Sequence, residues 1–224
     1  MSEQPFIDWE WVSEHLDLIG QRFLEHVWLT FLAVAIGLIV SLPIAVFAHR
    51  HPRFYPPATW VTGILYTIPS IALLGFLVPF TGLSTLTAEI ALVSYTLLIL
   101  IRNTVTGLQG VPEDAKEAAV GMGLTRRQLL WRVEFPMALP VIVAGIRIAT
   151  VSTIGLVLVT VLVGKGGLGY LMIAGFRRLL PQTTAVTLGV SLSVALAFAA
   201  DSLLLWGQRR LTPWSRGSRV RTVT

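Results

Sequence analysis

The feature that most constrains this chain is a series of five apolar stretches, each long enough to cross a bilayer. A transmembrane helix needs about 20 mostly apolar residues to span a hydrocarbon core of about 30 Å. The composition agrees, because 54% of the 224 residues are hydrophobic and 13% are charged, about half the charged share of a soluble domain. The sequence therefore predicts an all-α, multi-pass membrane protein whose spans lie at residues 27–48, 58–78, 86–105, 140–162 and 183–206.

Two prolines fall inside these stretches, Pro43 in the first and Pro69 in the second. Proline removes a backbone donor and clashes with the preceding turn, so both are expected to bend their helices. The second stretch is also the least apolar of the five, since Thr62, Thr67 and Ser70 dilute it.

The basic residues of the connecting segments predict the orientation of the chain. Twelve Lys and Arg residues lie in the connections on one side and at the C-terminus, whereas the other side holds four: Arg22, Lys165, Arg177 and Arg178. Because cytoplasmic loops carry the excess of Lys and Arg, we expect the N-terminus outside and both the C-terminus and loop 107–137 in the cytoplasm.

The same reasoning divides the chain into three parts. Residues 1–26 are interpreted as an extracellular amphipathic segment, since Trp9, Val12, Leu16, Ile19 and Phe23 recur at helical spacing. Residues 27–210 form the transmembrane domain, and residues 211–224 form a basic cytoplasmic tail.

Several classes of chemistry find no support in the sequence. The chain has no cysteine, which excludes disulfides and thiolate metal sites. It contains no G-x-x-x-x-G-K-[ST] phosphate loop, so we expect it neither to hydrolyse ATP nor to hold a cofactor or metal of its own. The four histidines are interpreted as interfacial residues. The positive charge follows membrane topology rather than one basic face, so no nucleic-acid partner is expected.

One glycine-rich motif is interpreted as a turn. Gly164, Gly166, Gly167 and Gly169 fit the dinucleotide pattern G-x-G-x-x-G. The preceding apolar run is too long for one strand, and no acidic residue follows at the roughly 20-residue offset of a ribose ligand. We expect these glycines to turn the chain back as a short re-entrant segment at residues 170–176.

The loop between the third and fourth spans shows its own helix signals. Pro112 suits the first position of a helix, which should end near Gly121 and Gly123. Thr125 and Gln128 have the spacing of a capping box that opens a second short helix. Pro136 and Pro140 should then redirect the chain into the membrane.

This loop carries the resemblance to a known family. ABC-importer permeases have a cytoplasmic motif that begins Glu-Ala-Ala, with Gly six and Pro nineteen positions after the Glu. The chain matches at five positions and replaces the usual Ile and Leu by Val133 and Phe135; the matching residues are Glu117, Ala118, Ala119, Gly123 and Pro136. Most of the chain resembles the permeases of glycine betaine/choline/carnitine importers, through segments 66–70, 101–104, 121–123, 140–147 and 166–169.

The resemblance implies a type I importer fold of the methionine-permease kind in a bacterial inner membrane. It implies that the loop, with Gly121 among its residues, is a coupling helix that docks on an ATPase, and that residues 164–169 close the outer end of the pathway. The implied partners are two ATPase subunits that bind ATP and Mg²⁺, a second permease (identical or paralogous) and an extracellular substrate-binding protein. The implied solute is a quaternary ammonium or zwitterionic osmoprotectant.

Two further groups of residues are candidates within the spans. Arg147 and Asp201 lie at comparable depth and form a possible charge pair, the alternative being that Arg147 extends to the headgroups alone. Four aromatic residues near the outer half are possible pathway lining, with ordinary packing as the alternative: Tyr66, Phe76, Phe80 and Tyr95.

Other functions remain open at this stage. A methionine-type or other amino-acid importer permease would have the same fold. An autonomous secondary transporter or channel should show two internal repeats, and an intramembrane enzyme should show a paired nucleophile and base. Neither signature is found in the sequence.

Overall fold

In the computed structural model, which describes residues 7–177, 179 and 182–213, helices account for almost the whole chain and no described residue lies in a strand. The helices are α1 Trp9–Glu14, α2 Leu16–Arg50, α3 Tyr55–Thr67, α4 Ser70–Thr81, α5 Thr85–Gln109, α6 Glu113–Gly121, α7 Arg126–Leu129, α8 Phe135–Val157, α9 Gly169–Phe176 and α10 Gln182–Leu211. Shorter 3₁₀ turns lie at Pro52–Phe54 and Leu158–Val163, and a π turn lies at Leu130–Glu134.

Four described helices are long and apolar enough to cross a membrane. Counting α3 and α4 as one span gives the predicted five. These two helices are bent by 94° at the break between them, where Ile68 and Pro69 have extended backbone angles. The bend predicted at Pro69 is therefore a complete break, whereas α2 continues as a helix through Pro43.

The N-terminal segment, predicted to be amphipathic, is helical in two parts. Asp8 caps α1 by accepting a hydrogen bond from the Trp11 amide. The helix is interrupted at His15, and α2 then runs from Leu16 into the first span without a further break. Residues 1–6 and 214–224, which include most of the predicted basic tail, lie outside the described part of the chain.

Helix α5 is the centre of the bundle and packs against α2, α8, α3 and α4. Small residues permit this packing. A Cβ added at Gly37 of α2 would lie 2.0 Å from Oγ1 of Thr96, and one added at Gly145 of α8 would lie 2.4 Å from Cβ of Asn103. Within a membrane, close van der Waals contact of this kind drives helix association. Both positions therefore require glycine.

The fourth span is part of a longer helix. Residues 126–163 form a single rod of 38 residues that includes α7, the π turn, α8 and the following 3₁₀ turn. Pro136 and Pro140 were predicted to redirect the chain, but they do not. Pro136 lies at the start of α8, and the helix continues through Pro140. The second half of the predicted cytoplasmic loop is thus continuous with a transmembrane helix.

Candidate functional site

The segment from Glu113 to Leu129 has a defined compact structure, which we call the coupling segment. Pro112 precedes the first helical residue of α6 instead of occupying it. At the other end of the helix, the amide of Met122 donates to the carbonyl of Ala118 at 3.0 Å and the amide of Leu124 donates to that of Ala119 at 3.1 Å. Thr125 then caps α7, with the reciprocal Gln128 contacts of a capping box.

Gly123 is the residue on which this turn depends. Its φ of +82° lies in the left-handed region, where residues with a Cβ are strained and glycine is not. By contrast, Gly121 is the last residue of α6 and has an ordinary helical conformation.

The coupling segment exposes apolar side chains away from the bundle. Val120 is 60% and Met122 is 73% exposed, and Glu117 and Ala118 are exposed beside them. Ala119 is 1% exposed, so of the two alanines in the motif, Ala118 is the one available for close approach by another protein. Val120 and Met122 therefore form a small exposed apolar surface, which is a candidate for contact with another protein.

Buried contacts connect the residue that directly follows the coupling segment to three spans. Leu130 packs in a cluster with Leu108 of α5 and with Ala138 and Ile142 of α8, and Val46 of α2 packs against this cluster. Because α7 is continuous with α8, the coupling segment is joined directly to the fourth span.

A second connection was not predicted from the sequence. His49 at the end of α2 lies with its Nε2 3.6 Å from a carboxylate oxygen of Glu134 in the π turn, and both side chains are largely buried. The interpretation of His49 as an interfacial residue did not identify this carboxylate partner. π turns within α-helices occur often at functional sites, and this one carries the residue that contacts α2.

The structure joins Arg147 and Asp201 directly. Nε and Nη2 of Arg147 donate to the two carboxylate oxygens of Asp201, both at 2.8 Å. This two-pronged geometry is the strongest form of an arginine–carboxylate contact. It fixes α10 to α8. This contact matters because α10 is otherwise mostly exposed, with 11% of its 18-residue apolar stretch buried.

The glycine-rich loop is held in place by a histidine. Gly164 and Gly167 have positive φ, and a Cβ added at Gly167 would lie 2.6 Å from Cβ of His26. His26 is fully buried rather than interfacial. Its Nε2 lies 3.0 Å from the carbonyl of Ile154, and its Nδ1 accepts from the Leu168 amide at 3.4 Å.

This loop lies between a 3₁₀ turn and α9, which begins at Gly169. Gly166 lies close to Val161. No strand precedes the motif, so the setting of a dinucleotide site is missing, and the residues predicted as a short re-entrant segment form the short helix α9.

A cavity of about 440 Å³ lies at the break between α3 and α4. Its walls come from the break itself, from α5 and from α8; the lining residues are Tyr66, Thr67, Ile68, Pro69, Ser70, Tyr95, Ser152, Gly155 and Leu156. Irregular backbone is tolerated at membrane depth where it lines a cavity, which accounts for the break.

Two of the four predicted aromatic residues lie in this cavity. Tyr95 is buried and its hydroxyl donates to the carbonyl of Ile68, while the rings of Tyr95 and Tyr66 make a T-shaped contact with centroids 5.9 Å apart. Phe76 and Phe80 instead lie side by side on the exposed face of α4. Of the four aromatic residues proposed together from the sequence, two therefore line the cavity and two do not.

These features define a helical membrane subunit with a broken span, a cavity at the break and an exposed segment for a partner. Residues 27–213 match the family described as the binding-protein-dependent transport system inner membrane component. The chain belongs to this family, the multi-pass inner-membrane permeases of ABC importers, which work with an ATPase and a substrate-binding protein.

Individual relatives agree with this assignment. The chain is 39% identical to the osmoprotectant import permease protein OsmW of Salmonella typhimurium, covering 84% of this chain and 89% of the relative. It is 34% identical to the choline transport system permease protein OpuBB of Bacillus subtilis, over 84% and 86% of the two chains. The inward-facing MetNI methionine ABC transporter has a similar fold, with a TM-score of 0.78 at 23% identity, covering 89% of this chain and 98% of that one.

Proposed function

We propose that this permease carries a small methylated ammonium solute of the glycine betaine, choline or carnitine type into the cell. Relatives at 34–39% identity are named for such solutes, whereas the methionine transporter shares the fold at 23% identity. The cavity at the broken span supports the proposal, because its lining combines aromatic rings and hydroxyls with no charged side chain.

The coupling segment carries the proposal that transport is driven by an external ATPase. Its exposed apolar residues, its glycine turn and its continuity with α8 form a surface on which another subunit can act and a rod that transmits the movement. ATP and Mg²⁺ are then held by the ATPase. The N-terminus lies outside, and the coupling segment and C-terminus lie in the cytoplasm.

The proposed assembly contains two permeases, two ATPases and one extracellular binding protein. A single copy presents the cavity at the broken span as an open surface recess. A second permease, identical or paralogous, is needed to close a pathway around it.

Reconstitution with a cognate ATPase and binding protein tests the function. In liposomes, we expect choline, glycine betaine or carnitine to raise the rate of ATP hydrolysis and to accumulate inside, with methionine as the control solute. Stimulation by methionine and by none of the methylated solutes would assign the chain to the amino-acid importers instead.

A further inference from the structure

The cavity at the broken span differs from the other described cavities in the ring face that it offers. In the cavity of about 370 Å³ beside the glycine-rich loop, the guanidinium of Arg22 lies 4.0 Å from the ring centroid of Tyr170, and Arg177 adds a second positive charge. In the cavity of about 330 Å³ between α2 and α3, the ring of Phe47 is stacked on His51. Neither suits a cationic solute. The cavity of about 500 Å³ between α2, α8 and α10 is lined mainly by aliphatic side chains, with Phe31 as its one aromatic ring, whereas Tyr66 and Tyr95 both line the cavity at the broken span.

The ring of Tyr66 is available by comparison. It is 43% exposed and lines the cavity of about 440 Å³, a volume within the range of about 300–1,000 Å³ usual for small-molecule sites. Its edge-to-face contact is with Tyr95, which is itself fixed by its hydrogen bond to Ile68. Tyr66 therefore presents a pre-oriented aromatic surface next to the break.

The chemistry of the lining favours one class of cation. None of the residues that line this cavity is Asp, Glu, Lys, Arg or His. A primary ammonium group entering the cavity would lose its water hydrogen bonds and would find only neutral hydroxyl and carbonyl acceptors in exchange, with no carboxylate. A quaternary ammonium has no N–H to satisfy, and its methyl groups are attracted to the electron-rich face of an aromatic ring.

We propose that this cavity binds the methylated ammonium group of the solute during translocation, with the face of Tyr66 as its main contact. The proposal rests on the proposed function and adds a solute site within the permease itself. Selection for methylated nitrogen then takes place within the permease, after the solute has left the binding protein.

Binding of radiolabelled choline to the permease–ATPase complex in lipid nanodiscs, without the binding protein, tests the site directly. Loss of one cation–π contact should weaken binding by about tenfold in Tyr66→Leu, whereas Tyr66→Phe keeps the ring and the affinity. Phe76→Leu is the matched control, because Phe76 is 65% exposed on the adjoining helix and is not among the residues that line this cavity. Tetramethylammonium should displace choline, and ammonium should not.

Chemical labelling gives a second measurement that does not depend on removing the ring. The natural chain has no cysteine, so Thr67→Cys and Phe76→Cys each introduce a single thiol. Choline should slow maleimide labelling of Thr67→Cys and leave that of Phe76→Cys unchanged.

Two results would overturn the proposal: choline affinity in Tyr66→Leu equal to that of Phe76→Leu, or equal labelling of Thr67→Cys with and without choline. If either result occurs while methylated solutes are still taken up into liposomes, the proposed function stands and only the proposed site is wrong. If no methylated solute is taken up into liposomes, the proposed function is wrong as well.

Discussion

Gly123→Asp should abolish solute uptake while the protein still inserts into the membrane at near-normal levels. The substitution places a Cβ where φ is +82°, at a cost of about 1 kcal/mol. It also adds a charge beside the exposed apolar residues Val120 and Met122. Both effects act on the surface for the ATPase, whereas insertion depends on the apolar spans. The variant complex should therefore lose substrate-stimulated ATP hydrolysis and co-purify poorly with the ATPase.

Gly82→Asp is the matched control for this variant. Gly82 also has a positive φ, of +69°, with nothing within 4 Å of an added Cβ, but it lies between α4 and α5 at the opposite end of the bundle. The Gly82→Asp variant should retain ATPase binding and solute uptake. Wild-type uptake by Gly123→Asp, with the ATPase attached, would contradict the role given to the coupling segment.

Arg147→Ala and Asp201→Ala should each lower the yield of folded protein, and the double variant should lose less than the sum of the two. Each single change leaves one charge of the pair without its partner at membrane depth, which costs more than removing both. The yield is measured by size-exclusion chromatography of the solubilised protein.

Arg53→Ala serves as the control for the loss of a positive charge, because Arg53 is exposed in the turn after α2. It should leave the yield unchanged. Strictly additive losses in the Arg147 and Asp201 variants would show that the contact between the two side chains does not stabilise the fold.

Features encoded by neighbouring residues could be predicted from the sequence. The number of spans follows from the length of the apolar runs, the capping box from the spacing of Thr125 and Gln128, and the positive φ from the glycine at position 123. The short segment α9 could be predicted because glycines precede a short apolar stretch.

Features that depend on distant residues could not be predicted in the same way. His49 and Glu134 meet although 84 residues separate them in the chain, and His26 reaches Leu168 across an even longer interval. No local pattern marks either contact. Likewise, Pro69 signals a bend, but the 94° break follows from how α3 and α4 pack against α5.

Site-specific cross-linking tests the central claim, that the coupling segment is the contact surface for the ATPase. A photoreactive side chain is introduced in the assembled complex at Met122, which is 73% exposed, and separately at Leu83, which is 69% exposed at the opposite end of the bundle. We predict a cross-link to the ATPase from position 122 and none from position 83. A cross-link from position 83 alone would place the ATPase on the wrong side of the membrane and would contradict the account.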